Sequence, residues 1–498
     1  MANNASLTWT TFGVAVCAAL GTFLFGFDTG IITTTIAHAS FTEYMDNPSS
    51  AITGAIVSSY IGGEAVGSII TIILGDKLGR TRYMQVLSVL VTIAVIIQTA
   101  AVNMGIFLAG RALAGIAVGG MYSTVPVYLS EIAAPNVRGL VGGLAGLGIS
   151  CGIMISNWVG FACGYAPYGQ VQWRLPLALQ APWGIILFIG LSTFIPDSPR
   201  HLVRIGNVAA ARNAFQRVRA DLGSDESESE FRLMQSQIEY EKERELKSYK
   251  DAFRLYQHRV FCSIAVNVLT TITGVNVIQY FQTRLYRDLG MTGNTVLALA
   301  AAWGTTGFLS NALSLRFLAD RFNRRTMLLS GLTLVAVIDI YSAVMQREFQ
   351  GTDNNVGQGF AILGIYLFVV AYYATINSTT PVYMVECVPI SIRARIVGLS
   401  CAIKFAINAG LNQAAPTAFA NIREHYYYVF VGLCIIWAVG IYFYFPETRG
   451  KTLEEVAAAF GDKVVDIDSI TPSQQSPSDR KSSGASHMEA GLAADQKV

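Results

Sequence analysis

Apolar residues along this chain come in blocks of about twenty or more, separated by short polar turns, with no strand-like alternation of apolar and polar positions. A helix needs roughly 20 apolar residues to cover about 30 Å of hydrocarbon. Blocks of that kind fall at 10–36, 51–74, 83–103, 105–130, 139–163 and 175–195, and after a polar stretch at 259–288, 294–319, 325–346, 357–385, 391–420 and 425–446. The pattern predicts an all-α membrane protein of twelve transmembrane helices, arranged as two pseudo-symmetric six-helix halves. The spans are numbered first to twelfth in that order.

An even count puts both termini on one side, and the basic residues say which, because cytoplasmic loops collect lysine and arginine. Lys77, Arg80 and Arg82, then Arg321, Arg324 and Arg325, then Arg393 and Arg395 all fall on one face with the long middle segment. The other face has only scattered arginines such as Arg174, Arg347 and Arg423. This predicts a cytoplasmic N-terminus (1–9), an N-terminal half (10–196), a cytoplasmic helical linker (197–258), a C-terminal half (259–446) and a cytoplasmic tail (447–498). The linker is rich in Glu, Lys, Arg and Ala, which favours solvated helix. From about 461 the tail is Ser-, Asp- and Gln-rich and carries too little apolar content to offset the entropy of ordering, so disorder is expected there.

Composition supports this picture: 52% of residues are hydrophobic and 14% charged, against about 25% charged in an average soluble domain. Net charge is only +2, so no basic field points to nucleic acid. The seven cysteines include no CxxC pair and read as small buried hydrophobes. The five histidines (His38, His201, His258, His425, His487) form no HxxxH or HExxH pattern, so neither a metal site nor an enzyme's constellation is indicated and no cofactor is expected.

An internal repeat is the strongest organisational signal. GDKLGRTR (75–82) is echoed by ADRFNRR (319–325), EIAAPNVRG (131–139) by ECVPISIRA (386–394) and PDSPR (196–200) by PETRG (446–450). All three offsets lie near 250 residues. Two such halves place a substrate site between them near the bilayer midplane. The charged partners Asp76, Arg80, Glu131, Arg138, Asp320, Arg321, Glu386 and Arg393 lie at cytoplasmic helix ends, where opposite charges can pair and then separate as the halves move, forming a gate. Topogenic charge alone would explain the arginines but not acidic partners repeated in both halves.

These motifs resemble the sugar-porter family of the major facilitator superfamily over residues 10 to 456. PETRGKTLEE (446–455) is nearly the family's C-terminal signature, PDSPRHLV (196–203) is similar to its PESPRWLV, and GRALAGIAVGG followed by PVYLSEIAAPNVRG (110–139) follows its fourth helix and exit. The resemblance implies alternating access to a sugar or sugar-like polyhydroxylated solute by a monomer, most of all of the fungal proton-coupled type, in a plasma membrane with its lipid bilayer and no nucleic-acid partner. Asp28, in FLFGFDTG, sits within the first span, where an unpaired carboxylate costs about 2.5–3.5 kcal/mol. Arg111, opening the fourth span, is its natural partner, and the resemblance implies that this pair couples a proton to transport. A static ion pair fastening two helices is the competing reading. Facilitated diffusion without protons is the rival function, and a nutrient sensor built on a transporter fold a further one. Glu64, in SYIGGEAVGS, is a second buried acid and rival proton site, or a local interhelical bond where glycines bring helices close.

Substrate contacts are expected where TTITGVNVIQYF (270–281) resembles the family's QQLTGINxxxYY. Asn276 and Tyr280 are retained on one helix face, whereas Thr270 and Thr271 occupy the positions of paired glutamines. Gly146 and Pro381 replace a further glutamine and a tryptophan, and Lys404 and Phe405 replace an Asn/Gln–Trp pair. Lys404, Asn408 and Asn412 form a polar stripe. Three readings of Lys404 stand open: contact with an anionic solute such as a uronate, a salt bridge to an acid such as Glu64, or snorkelling. A disaccharide or polyol also fits the loss of the glutamines.

Overall fold

A computed structural model describes residues 9–133, 138–219, 224–243, 256–318, 321–389, 392–449 and 460. Among them twelve helices are long and apolar enough to cross a membrane: Trp9–Thr35, Ser50–Leu78, Arg80–Thr99, Met104–Ile132, Gly139–Cys163, Val171–Thr193, Gln257–Asp288, Asn294–Phe317, Arg324–Phe349, Asn355–Glu386, Arg393–Asn421 and His425–Tyr444. These are the twelve expected spans, shifted by at most a few residues. The expected N-terminal segment up to residue 8 and the tail beyond 460 lie outside the described residues.

Each half repeats one local construction at its charged-motif end. Tyr128 donates its hydroxyl to Pro196 O at 2.8 Å, and Tyr383 donates to Pro446 O at 2.8 Å. One residue further, Asp197 Oδ1 accepts from Thr81 N at 3.5 Å, while Glu447 accepts from Arg324 N at 2.9 Å and Arg325 N at 3.1 Å. In both cases an acid from the half's last motif caps the otherwise unpaired amides of the half's third helix, where the helix dipole also favours negative charge. The acidic residues that recur in the repeat therefore hold the ends of the helices in place.

Packing explains the glycines of the second and fourth spans. A Cβ placed on Gly119 would lie 2.2 Å from Glu64 O, so only glycine lets these backbones meet. Two spans are locally broken. The seventh is split into Gln257–Ile272 and Val275–Asp288 by Gly274 at φ 78°, a left-handed turn that suits glycine. The tenth carries a π-helical turn at Tyr372–Asn377 between Asn355–Ala371 and Ser378–Glu386, a feature that concentrates at functional sites. Both breaks face the space between the halves.

After the sixth span come the helices Pro199–Arg204, Val208–Val218 and Ser224–Glu243, as the charged composition predicts. They close a small core of Val203, Ala211, Phe215, Phe231, Met234 and Ile238. Thr11 Oγ1 donates to Val218 O at 2.6 Å, so the linker docks on the end of the bundle where the first span begins. Burial, with the Arg80 guanidinium nearby, holds the His201 imidazole in this region below its ordinary pKa.

Candidate functional site

At the centre of the N-terminal half, Arg111 Nη1 donates to Asp28 Oδ1, joining the fourth span to the first. Both side chains are completely buried. Arg111 also donates through Nε to Ile56 O at 3.4 Å and lies 4.2 Å from the centroid of the Tyr60 ring, a cation–π contact that helps to hold a guanidinium away from water. Among the described residues Asp28 Oδ2 and Arg111 Nη2 have no hydrogen-bond partner. The pair is thus held together with bonding capacity left over. Glu64, one turn beyond Tyr60 on the second span, is buried with its Oε1 unpartnered.

A cavity opens beside this pair, between the halves. Phe25, Tyr122 and Ile149 line it from the N-terminal half; Thr270, Val275, Asn276, Gln279, Tyr372, Tyr373, Asn377, Thr380, Pro381 and Lys404 line it from the C-terminal half. Asn276 Nδ2 donates to Asn408 Oδ1 at 3.1 Å, and Asn412 Nδ2 donates to the same oxygen at 2.8 Å, so the eleventh-span stripe is bonded to the broken seventh span. Lys404 Nζ crosses the interface to donate to Tyr122 O–H at 2.6 Å. Aromatic and amide groups on one small space suit a ligand with apolar ring faces and polar edges.

Not every expected contact reaches the cavity. Thr270, Asn276 and Lys404 line it and Asn408 sits directly behind Asn276, but Tyr280, Thr271 and Phe405 do not line it. Tyr280 shares a face with Asn276, yet it stands a full turn, about 6 Å, further along the helix, past the cavity, with its hydroxyl 3.5 Å from Thr29 Oγ1 of the first span. Thr271 turns into protein, where its Oγ1 has no partner. Phe405 packs between Phe25 and Tyr122, with ring centroids at 6.1 and 5.3 Å. Gln279 also lines the cavity, and its position three residues after Asn276, on the same helix face, is the sequence signal that marks it. Tyr372, Tyr373 and Asn377 left no pattern, because the π turn that presents them breaks helical periodicity. Asp339 is fully buried in the ninth span, and among the described residues neither carboxylate oxygen has a hydrogen-bond partner.

At the charged-motif end, Arg80 bridges Asp76 at 2.7 Å and Glu131 at 3.1 Å, all within the N-terminal half. Asp76 also pairs across the halves with Arg395 at 3.5 Å, while Arg80, four residues after Asp76 on the same face, pairs within its own half. Glu386 accepts from Thr448 Oγ1 at 2.8 Å and Arg393 donates to Val388 O at 3.1 Å. Arg321 is exposed; Asp320 and the Arg138 side chain lie outside the described residues.

This arrangement of a buried carboxylate–guanidinium pair beside a central polar cavity meets its relatives in comparison. The family model "Sugar (and other) transporter" matches residues 14–460. The chain belongs to this family of the major facilitator superfamily. It is therefore a multi-pass membrane transporter and not an enzyme. This transporter is similar to the MFS-type transporter criB of Aspergillus cristatus, with 32% identity over 452 residues covering 90% of this chain and 92% of the relative. It is also similar to a high-affinity glucose transporter of Kluyveromyces lactis, with 27% identity over 484 residues covering 92% and 86%. Among solved structures, the proton:xylose symporter XylE bound to 6-bromo-6-deoxy-D-glucose superposes with a TM-score of 0.79 at 19% identity, covering 91% of this chain and all of that one. An inward-open XylE from E. coli gives 0.71 at 19% identity over 90% of this chain and 99% of that one. At such identity the likeness speaks for the fold.

Proposed function

We propose that this transporter is a proton-coupled symporter that imports a sugar-like polyhydroxylated solute through the cavity between its halves. The buried Asp28–Arg111 pair carries the reading. While Asp28 is ionised, Arg111 is held; when Asp28 takes a proton, the charge attraction ends and the guanidinium is free to rebond. A switch needs two arrangements that a ligand biases differently, and the unpartnered Asp28 Oδ2 and Arg111 Nη2 give the pair room to have them. One charge moving through about 100 mV supplies about 2.3 kcal/mol, enough for roughly fifty-fold accumulation. The end bearing Asp76, Arg80 and Arg395 faces the cytoplasm in this reading, with both termini on that side and the protein acting as a monomer in the plasma membrane. XylE, a proton:xylose symporter by name, lends the reading a precedent in the same fold.

The decisive measurement is solute uptake by proteoliposomes with and without an inward proton gradient. Asp28→Asn is expected to abolish gradient-driven accumulation while solute exchange between the two sides persists. Normal accumulation by Asp28→Asn, or wild-type uptake indifferent to a protonophore, would instead identify a facilitative carrier with a static ion pair.

A further inference from the structure

We infer that the cavity takes a solute bearing a carboxylate, a cyclic polyhydroxylated acid such as a uronate, and that Lys404 binds the carboxylate directly. The inference rests on the reading of this cavity as the transported solute's site and narrows it to a chemical class.

Lys404 stands about 16 Å into its helix at 1.5 Å per residue, on the cavity wall and 4% exposed, which is no position for snorkelling to either interface. Its ammonium is cushioned by two rings, 4.0 Å from the Tyr122 centroid and 5.1 Å from that of Phe405, and gives one proton to Tyr122 O–H. Among the described residues no carboxylate approaches within the 4.0 Å of an ion pair, Glu64 included. Among the described residues its other two N–H bonds have no hydrogen-bond acceptor. Glu64 acts on it only from beyond contact distance, and a lysine so deep in a span without a direct ion-pair partner is costly, such residues being usually paired or in contact with a substrate.

Gln279 adds an independent observation. It lines the same cavity, is 3% exposed, and among the described residues its Nε2 has no hydrogen-bond partner. The cavity's hydroxyls do not compensate: Thr270 and Thr380 spend their protons on Asn267 O and Ile376 O of their own helices. One N–H of the Asn276 amide is likewise given to Asn408 Oδ1. The buried, unbonded side-chain nitrogen on this wall is the Gln279 amide, and the Lys404 ammonium beside it has donors to spare. A buried donor left unsatisfied is expensive, and a neutral sugar hydroxyl relieves it less than a carboxylate, whose charge-assisted bonds to an ammonium are roughly twice as strong. Tyr372 and Tyr373 offer ring surface for the rest of the solute.

The test uses the full-length protein in proteoliposomes, with radiolabelled D-glucuronate, D-galacturonate and D-glucose, for the wild type, Lys404→Gln, Lys404→Arg, Glu64→Gln and the Lys404→Gln/Glu64→Gln double variant. Monodispersity in detergent is checked for each. The wild type is expected to take up a uronate in preference to glucose. Lys404→Gln is expected to raise the uronate KM by about ten- to a hundred-fold and to change that for glucose by less than about threefold, with Lys404→Arg in between. Equal losses for acid and neutral solutes would overturn the inference, as would recovery of uronate uptake in the double variant, which would mark Lys404 and Glu64 as a structural pair. Wild-type uptake that is proton-driven and abolished by Asp28→Asn but prefers glucose to either uronate would also overturn it while leaving the symport reading intact. Uronate uptake that needs Lys404 but ignores the proton gradient would sink the symport reading alone. If Lys404→Gln is not monodisperse, Lys404→Arg decides: a uronate-to-glucose preference reduced from the wild type's supports direct contact, and an unchanged one counts against it.

Discussion

Asp339 shows how a buried side chain can work against its own helix. It is fully buried in the ninth span, both carboxylate oxygens are unbonded, and the neighbouring twelfth span presents Tyr427 and Cys434 rather than a cation. An ionised carboxyl in that setting costs several kcal/mol with no Coulomb return. Asp339→Asn is therefore expected to raise the melting temperature of the purified transporter or leave it unchanged, with transport retained; a fall of several degrees would mean that the carboxylate holds something the packing needs. The contrast with Asp28 explains what could be read from the chain at this scale. Asp28 and Arg111 are charges in otherwise apolar segments, and each had an evident reason to seek the other. Tyr280 and Phe405 carried no comparable signal, since which of several residues on one helix face reaches a cavity depends on how deep the cavity lies. That depth is set by neighbours distant in sequence, such as the Thr29 and Phe25 of the first span that cover these two rings.

Two helices of the C-terminal half are irregular where they meet the cavity, and their irregularity gives the site its shape. Gly274 ends the first part of the seventh span and, in the left-handed region, redirects the second part so that Val275, Asn276 and Gln279 face the cavity. A Cβ at Gly274 would also lie 2.7 Å from Phe430 Cδ2. The left-handed backbone alone costs an L-residue about 1–2 kcal/mol. Gly274→Ala is thus expected to lower thermal stability and to weaken solute binding together, read as a drop in melting temperature and a raised KM in one preparation; unchanged binding in a destabilised protein would separate the break from the site. Apolar block length made the twelve elements legible, because the hydrocarbon thickness fixes helix length. A break inside a block removes no apolar residue, so the π turn at Tyr372–Asn377 passed unseen although it supplies three cavity residues.

For the whole molecule, the balance between the two ends of the bundle decides which side the cavity opens to. At the end away from the charged motifs the halves are tied closely: Thr33 Oγ1 donates to Gln279 O at 3.1 Å, Asn157 Nδ2 to Ala300 O at 3.0 Å, Trp158 Nε1 to Thr305 Oγ1 at 2.9 Å and Gln413 Nε2 to Ala51 O at 3.1 Å. At the motif end the Asp76–Arg395 pair is long and partly exposed, and a cleft between the halves is lined by Pro126, Ser130, Pro381, Val385, Glu386 and Arg393. An exposed ion pair contributes about 0–1 kcal/mol, whereas a hydrogen bond contributes about 0.5–1.5 kcal/mol net, and of these four the Thr33–Gln279 and Asn157–Ala300 bonds are buried. The described state is accordingly the one closed away from the motifs. Removing Gln413's contacts to Ala51 and Ser58 should tilt the balance. Gln413→Ala, at about 1 kcal/mol, is expected to raise the population open on that side roughly fivefold. The readout is maleimide labelling of a cysteine placed at Thr33, which the Gln279 contact now buries, in a background where the native cysteines are blocked or replaced. Arg395→Ala should act in the opposite direction and slow the same labelling. If both variants moved labelling the same way, the contacts would be serving general stability and the two ends would not be competing for one equilibrium.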